Sequence, residues 1–77
     1  MRECDRHKFV ELAGKRVSKA LHDIQLIGNL SNRSNYHYTD EDVAKMFRAL
    51  NSELRACRKR FDLALNNKQK SQFSLED

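Results

Sequence analysis

Residues 39–65 read TDEDVAKMFRALNSELRACRKRFDLAL, and this stretch decides the fold. Val43, Phe47, Leu50, Leu54, Cys57, Phe61 and Ala64 recur at alternating intervals of four and three, the spacing that keeps an apolar seam on one side of an α-helix. The start of the segment is equally marked. Thr39 stands where an N-cap belongs, and Asp42, three residues on, supplies the reciprocal acceptor of a capping box with Asp in place of Glu or Gln. Tyr38 and Val43 hold the two positions of a hydrophobic staple. Asp40, Glu41 and Asp42 place negative charge at the positive end of the helix dipole. A helix over about residues 40–65 follows.

Working back along the chain, Val10, Ala13, Val17, Ala20, Ile24 and Ile27 form a second seam of the same kind, widened by Phe9 and Leu21. Lys8, Lys15, Lys19 and His22 fall on its far side. This predicts a helix over about residues 5–30, separated from the other by a polar loop at 31–39. Two helices of similar length joined by a short connection make an antiparallel helical hairpin, so the expected fold is all-α, with residues 1–65 as the hairpin. One hairpin covers only one flank of each helix. Met46, Ala49, Ala56, Leu63 and Phe9 or Leu12 are left toward water, which favours self-association into a homo-oligomeric helical bundle. From Asn66 to Asp77 the periodicity stops and Asn, Lys, Gln and Ser dominate, so residues 66–77 read as a flexible C-terminal tail with Phe73 and Leu75 as its anchors.

Composition agrees with a small helical protein. Of 77 residues, 34% are charged and 39% hydrophobic, and there is no Pro and only two Gly, which argues against both a β-rich and a disordered chain. Fifteen Lys and Arg against eleven Asp and Glu give a net charge of +4, a bias toward anionic partners. No apolar run follows Met1 and no segment has the length of a membrane span, so the expectation is a cytoplasmic protein without membrane partners, with Cys4 and Cys57 as reduced thiols.

Chemistry-bearing residues gather between the helices. Asn32, Arg33, Asn35, Tyr36 and Tyr38 supply amides, a planar guanidinium and two phenols where a connection needs only turn formers. Arg33 suits phosphate, the Asn side chains suit base edges or ribose hydroxyls, and Tyr36 or Tyr38 can stack on a nucleobase. The competing reading is structural, with the Asn and Ser residues fixing the turn and the tyrosines sealing the bundle end. On the second helix Lys45, Arg48, Arg55 and Lys59 project to one side, away from the seam, and Arg58 borders them. Arg48 and Arg55 stand two turns apart and can line a phosphate-binding groove.

Catalysis is not expected. Cys57 belongs to the seam, Cys4 lies near the terminus, and the neighbours His22 and Asp23 do not face one another on a helix, so no nucleophile has a base and an orienting group. Cys4 and His7 are one turn apart, but two ligands do not make a metal site, and neither a metal nor a cofactor is expected.

The run Ile27 to Tyr36, IGNLSNRSNY, followed by Tyr38-Thr39 and Asp42-Val43, resembles a family of small bacterial and phage-type proteins with no established activity. The resemblance covers roughly residues 9–61, transfers no functional residue, and implies a bacterial or mobile-element setting. By class-level analogy with phage proteins that sequester defence signals, the expected function is a small non-enzymatic oligomer that captures an anionic nucleotide-type ligand, either nucleic acid or a soluble or cyclic nucleotide. Asn32, Arg33, Asn35, Tyr36, Tyr38, Arg48 and Arg55 would do the binding. The alternative is a helical protein-interaction module that docks on a larger protein and inhibits or scaffolds it.

Overall fold

A computed structural model of the chain describes the backbone of residues 3–72 and the side chains of residues 4–66. It contains two helices, α1 (Glu3–Asn29) and α2 (Asp40–Gln72), and no strand among the described residues. The chain divides into two units, Met1–His37 and Tyr38–Asp77, each built around one helix.

The start of α2 forms as its residues require. The Asp42 backbone N–H donates to Thr39 Oγ1 at 3.1 Å, and the Thr39 N–H donates to Asp42 Oδ2 at 3.0 Å, so each residue satisfies a backbone donor of the other. The first helical bond runs from the Val43 N–H to the Thr39 carbonyl at 3.2 Å. Tyr38 and Val43 are both half-buried, as the two halves of a staple should be. The helix ends later than the apolar pattern suggests. Its backbone continues past Leu65 to Gln72, which corrects the boundary expected at residue 65. No Gly or Pro interrupts Asn66–Gln72, and Lys and Gln have good intrinsic helix propensity, so the backbone has no stop signal where the seam runs out. The expected anchors Phe73 and Leu75 lie outside the described residues.

α1 closes differently. The Leu30 N–H donates to the Ile27 carbonyl and the Ser31 N–H to the Gly28 carbonyl, both at 3.0 Å. These bonds span three residues rather than four and tighten the last turn, satisfying carbonyls that the helix itself leaves open. Gly28 and Gly14 have negative φ, so neither glycine serves a left-handed cap. Along the helices, pairs one turn apart add support: Glu11 with Lys15 at 3.9 Å, Lys19 with Asp23 at 3.1 Å and Arg58 with Asp62 at 3.3 Å. Such exposed pairs are worth about 0.3–0.5 kcal/mol each. Glu11 to Lys15 runs in the favourable direction along the helix, the other two in the weaker one.

No side chain among the described residues is buried, whether apolar or polar. Ala13, Ile27, Val43, Met46 and Leu50 reach only half-burial, while Val10, Val17, Ile24, Phe47, Leu54 and Phe61 of the two seams remain exposed. Both helices are formed, and among the described residues the apolar surface that ordinarily stabilises such helices is open.

Candidate functional site

The connection between the helices is a folded turn rather than a slack tether. Asn32 organises it. Its Oδ1 accepts the Ser34 N–H at 3.0 Å, and its carbonyl accepts the Asn35 and Tyr36 N–H groups at 3.1 and 3.0 Å. An Asn side chain that bonds the backbone two residues on mimics a peptide turn, the reason this residue type is favoured here. The acceptor end of the Asn32 amide is thus engaged in shaping the turn, as the structural reading of these residues holds. Its remaining donors and the carboxamide of Asn35 are still suited to a ligand's acceptors.

Of the seven candidate residues, Asn32, Arg33, Asn35 and Tyr36 are brought together in this turn, which belongs to the first unit. Tyr36 is 48% exposed. Tyr38, Arg48 and Arg55 belong to the second unit. There Tyr38 precedes the cap and is half-buried, so it serves the helix start more than a ligand. Arg48 and Arg55 are seven residues apart on α2, about 10 Å along its axis and nearly in line.

Sequence reasoning understated one part of α2. Asn51, Leu54, Arg55 and Arg58 line a shallow, open depression on the helix surface. Their spacing of three, one and three is the signature of a contiguous helical face, which the sequence contained, although attention to the apolar seam assigned Leu54 to packing alone. Four residues of one helix cannot enclose a small molecule, because a helix surface is convex. The depression can seat one phosphate or one side chain from a partner. Arg58 Nε already donates to Asp62 Oδ1 at 3.3 Å, which leaves Asn51 and Arg55 as its uncommitted polar groups.

No group of three or more His, Cys, Asp or Glu residues able to hold a metal ion occurs among the described residues. Both thiols are exposed, with Cys4 Sγ 4.0 Å from Asp5 Oδ1. No described helix is long and apolar enough to cross a membrane. Comparison with protein-family models, curated proteins and solved structures finds no match to this chain. Its function has to be argued from its own residues.

Proposed function

We propose that this chain is a small non-enzymatic binding protein that works as a homo-oligomeric helical bundle and captures an anionic, nucleotide-type ligand. The observation that carries the assembly is two helices with apolar seams at heptad spacing and not one buried side chain among the described residues. Helices of this length owe most of their stability to packing of an amphipathic face, so covering the seams with further copies supplies what a lone chain lacks. Net charge of +4 supports the sign of the ligand. The Asn32 turn supports its class, since it presents a guanidinium residue, amides and an exposed phenol within five residues.

Sedimentation equilibrium of the intact chain tests assembly, and thermal shift against mononucleotides, cyclic dinucleotides and short oligonucleotides tests capture, because a ligand that binds only the folded state raises its apparent stability. A mass that rises above the monomer with concentration, together with stabilisation by one nucleotide class, is the expected result. A strictly monomeric chain overturns the assembly. An oligomer unmoved by every nucleotide overturns the ligand and favours docking on a larger protein through the same apolar flanks.

A further inference from the structure

We propose that the outward face of α2 is a contact surface for the phosphate backbone of duplex DNA, carried by Lys45, Arg48, Arg55 and Lys59. The inference rests on the anionic-ligand reading above and specifies which surface and which polymer. At about 100° per residue these four side chains, with Ser52 among them, form a stripe roughly opposite the seam of Val43, Phe47, Leu50, Leu54, Cys57 and Phe61. Covering the seam by association therefore leaves the stripe facing water.

Positive charge is concentrated along this segment of α2, and four of its cations share the stripe. Between Lys45 and Arg60 there are six basic residues and one acidic residue, Glu53, a local excess of five that exceeds the net charge of the whole chain. Lys15 and Lys19 of α1 pair with Glu11 and Asp23, and Arg58 of α2 pairs with Asp62, whereas Lys45, Arg48, Arg55 and Lys59, like Arg6, Lys8 and Arg16 of α1, enter no ion pair among the described residues. Glu41 and Asp62 bound the stripe at its two ends. From Lys45 to Lys59 it runs about 21 Å, the axial length of roughly six base pairs. Asn51 and Arg55 of the shallow depression lie along one border and add a donor pair for one phosphate.

Physical chemistry selects among polyanions. Single strands are gripped by aromatic side chains interleaved with cations, and no aromatic stands on this face. The major groove of B-DNA admits an α-helix, whereas that of duplex RNA is too deep and narrow. An anionic membrane would take up the apolar seam and aim the opposite stripe away from its headgroups. Base reading is not part of the inference, because Lys, Arg and Ser here suit phosphate, and the contact is sequence-independent.

The test is fluorescence anisotropy of a labelled 20-base-pair DNA duplex titrated with the full chain over a range of salt. Four phosphate contacts give a slope of log K against log salt of about −3.6 per bound chain, a loss of roughly 150-fold between 50 and 200 mM. Arg48→Gln with Arg55→Gln should halve the slope and weaken binding about 60-fold at 0.1 M salt by the same relation. Lys15→Gln with Lys19→Gln removes the same net charge from paired residues and should leave both nearly unchanged. Circular dichroism and sedimentation of each variant verify that folding and assembly are retained. Equal losses from the two double variants, tighter binding to duplex RNA, single strands or anionic vesicles, or no duplex binding overturns the inference. Stabilisation by a small nucleotide without duplex binding leaves the proposed function standing while this inference falls, and no binding to any nucleotide ends both.

Discussion

Leu54→Ala is the sharpest probe of the open seam. Leu54 sits in the middle of the α2 pattern and is 69% exposed, more than any other large apolar residue described. Full burial of a leucine side chain is worth about 1.5–3 kcal/mol, so about 1–2 kcal/mol of it is still to be gained, and about 2–4 kcal/mol where two copies each cover theirs. Alanine keeps one methyl, which places the loss toward the lower end: about 30- to 100-fold in the dissociation constant of a two-copy assembly. Sedimentation equilibrium over a hundredfold range of concentration reads that constant directly, and helical circular dichroism at the same concentrations reports whether the helices weaken as copies part. Ser52→Ala, on the opposite side of α2, should change neither. A Leu54→Ala chain that assembles like the parent, or a Ser52→Ala chain that falls apart equally, would refute the assignment of this seam to association.

Further outcomes follow from the local contacts, each measured at one fixed protein concentration because assembly adds to apparent stability. Thr39→Ala removes the acceptor of the Asp42 N–H and should cost about 1 kcal/mol in urea unfolding, with Asp42→Ala non-additive to it in a double-mutant cycle; full additivity would mean that the reciprocal pair does not act as a unit. Asn32→Asp retains the oxygen that accepts the Ser34 N–H and should be tolerated, whereas Asn32→Ala should lose about 0.5–1.5 kcal/mol; equal behaviour of the two would show that the turn does not need that bond. Gly14→Ala, at a position where an added Cβ meets nothing within 4 Å, should raise thermal stability by about 0.5–1 kcal/mol. A loss of stability and assembly there would instead place Gly14 in a close contact between copies.

Both helices were legible because their information is local. The alternating spacing from Val43 to Ala64 and the Thr39–Asp42 cap are satisfied within a few residues of one another, and the structure contains them as written. The end of α2 was not legible from the same evidence, since apolar periodicity reports which face is covered while backbone propensity alone carries the helix from Asn66 to Gln72. At the candidate site the residue types could be read, but Asn32 carries both a turn-forming and a ligand-binding chemistry in one amide. Only the Ser34 contact tells how its oxygen is used. The ion pairs were likewise hidden in composition: Lys15 and Arg55 count equally toward net charge, yet Glu11 lies beside one of them and no carboxylate among the described residues pairs with the other.

If copies assemble as proposed, the apolar seams left open among the described residues tie the lifetime of the chain to its abundance. Helices that gain their packing only in company are most vulnerable when molecules are scarce, because a lone copy keeps its backbone open to proteases and its oily stripes open to misdirected contacts. In the proposed assembly surplus copies would protect one another, while the first ones made would be cleared. Expression level would then act as a threshold, with a modest rise in synthesis converting a short-lived polypeptide into a durable one.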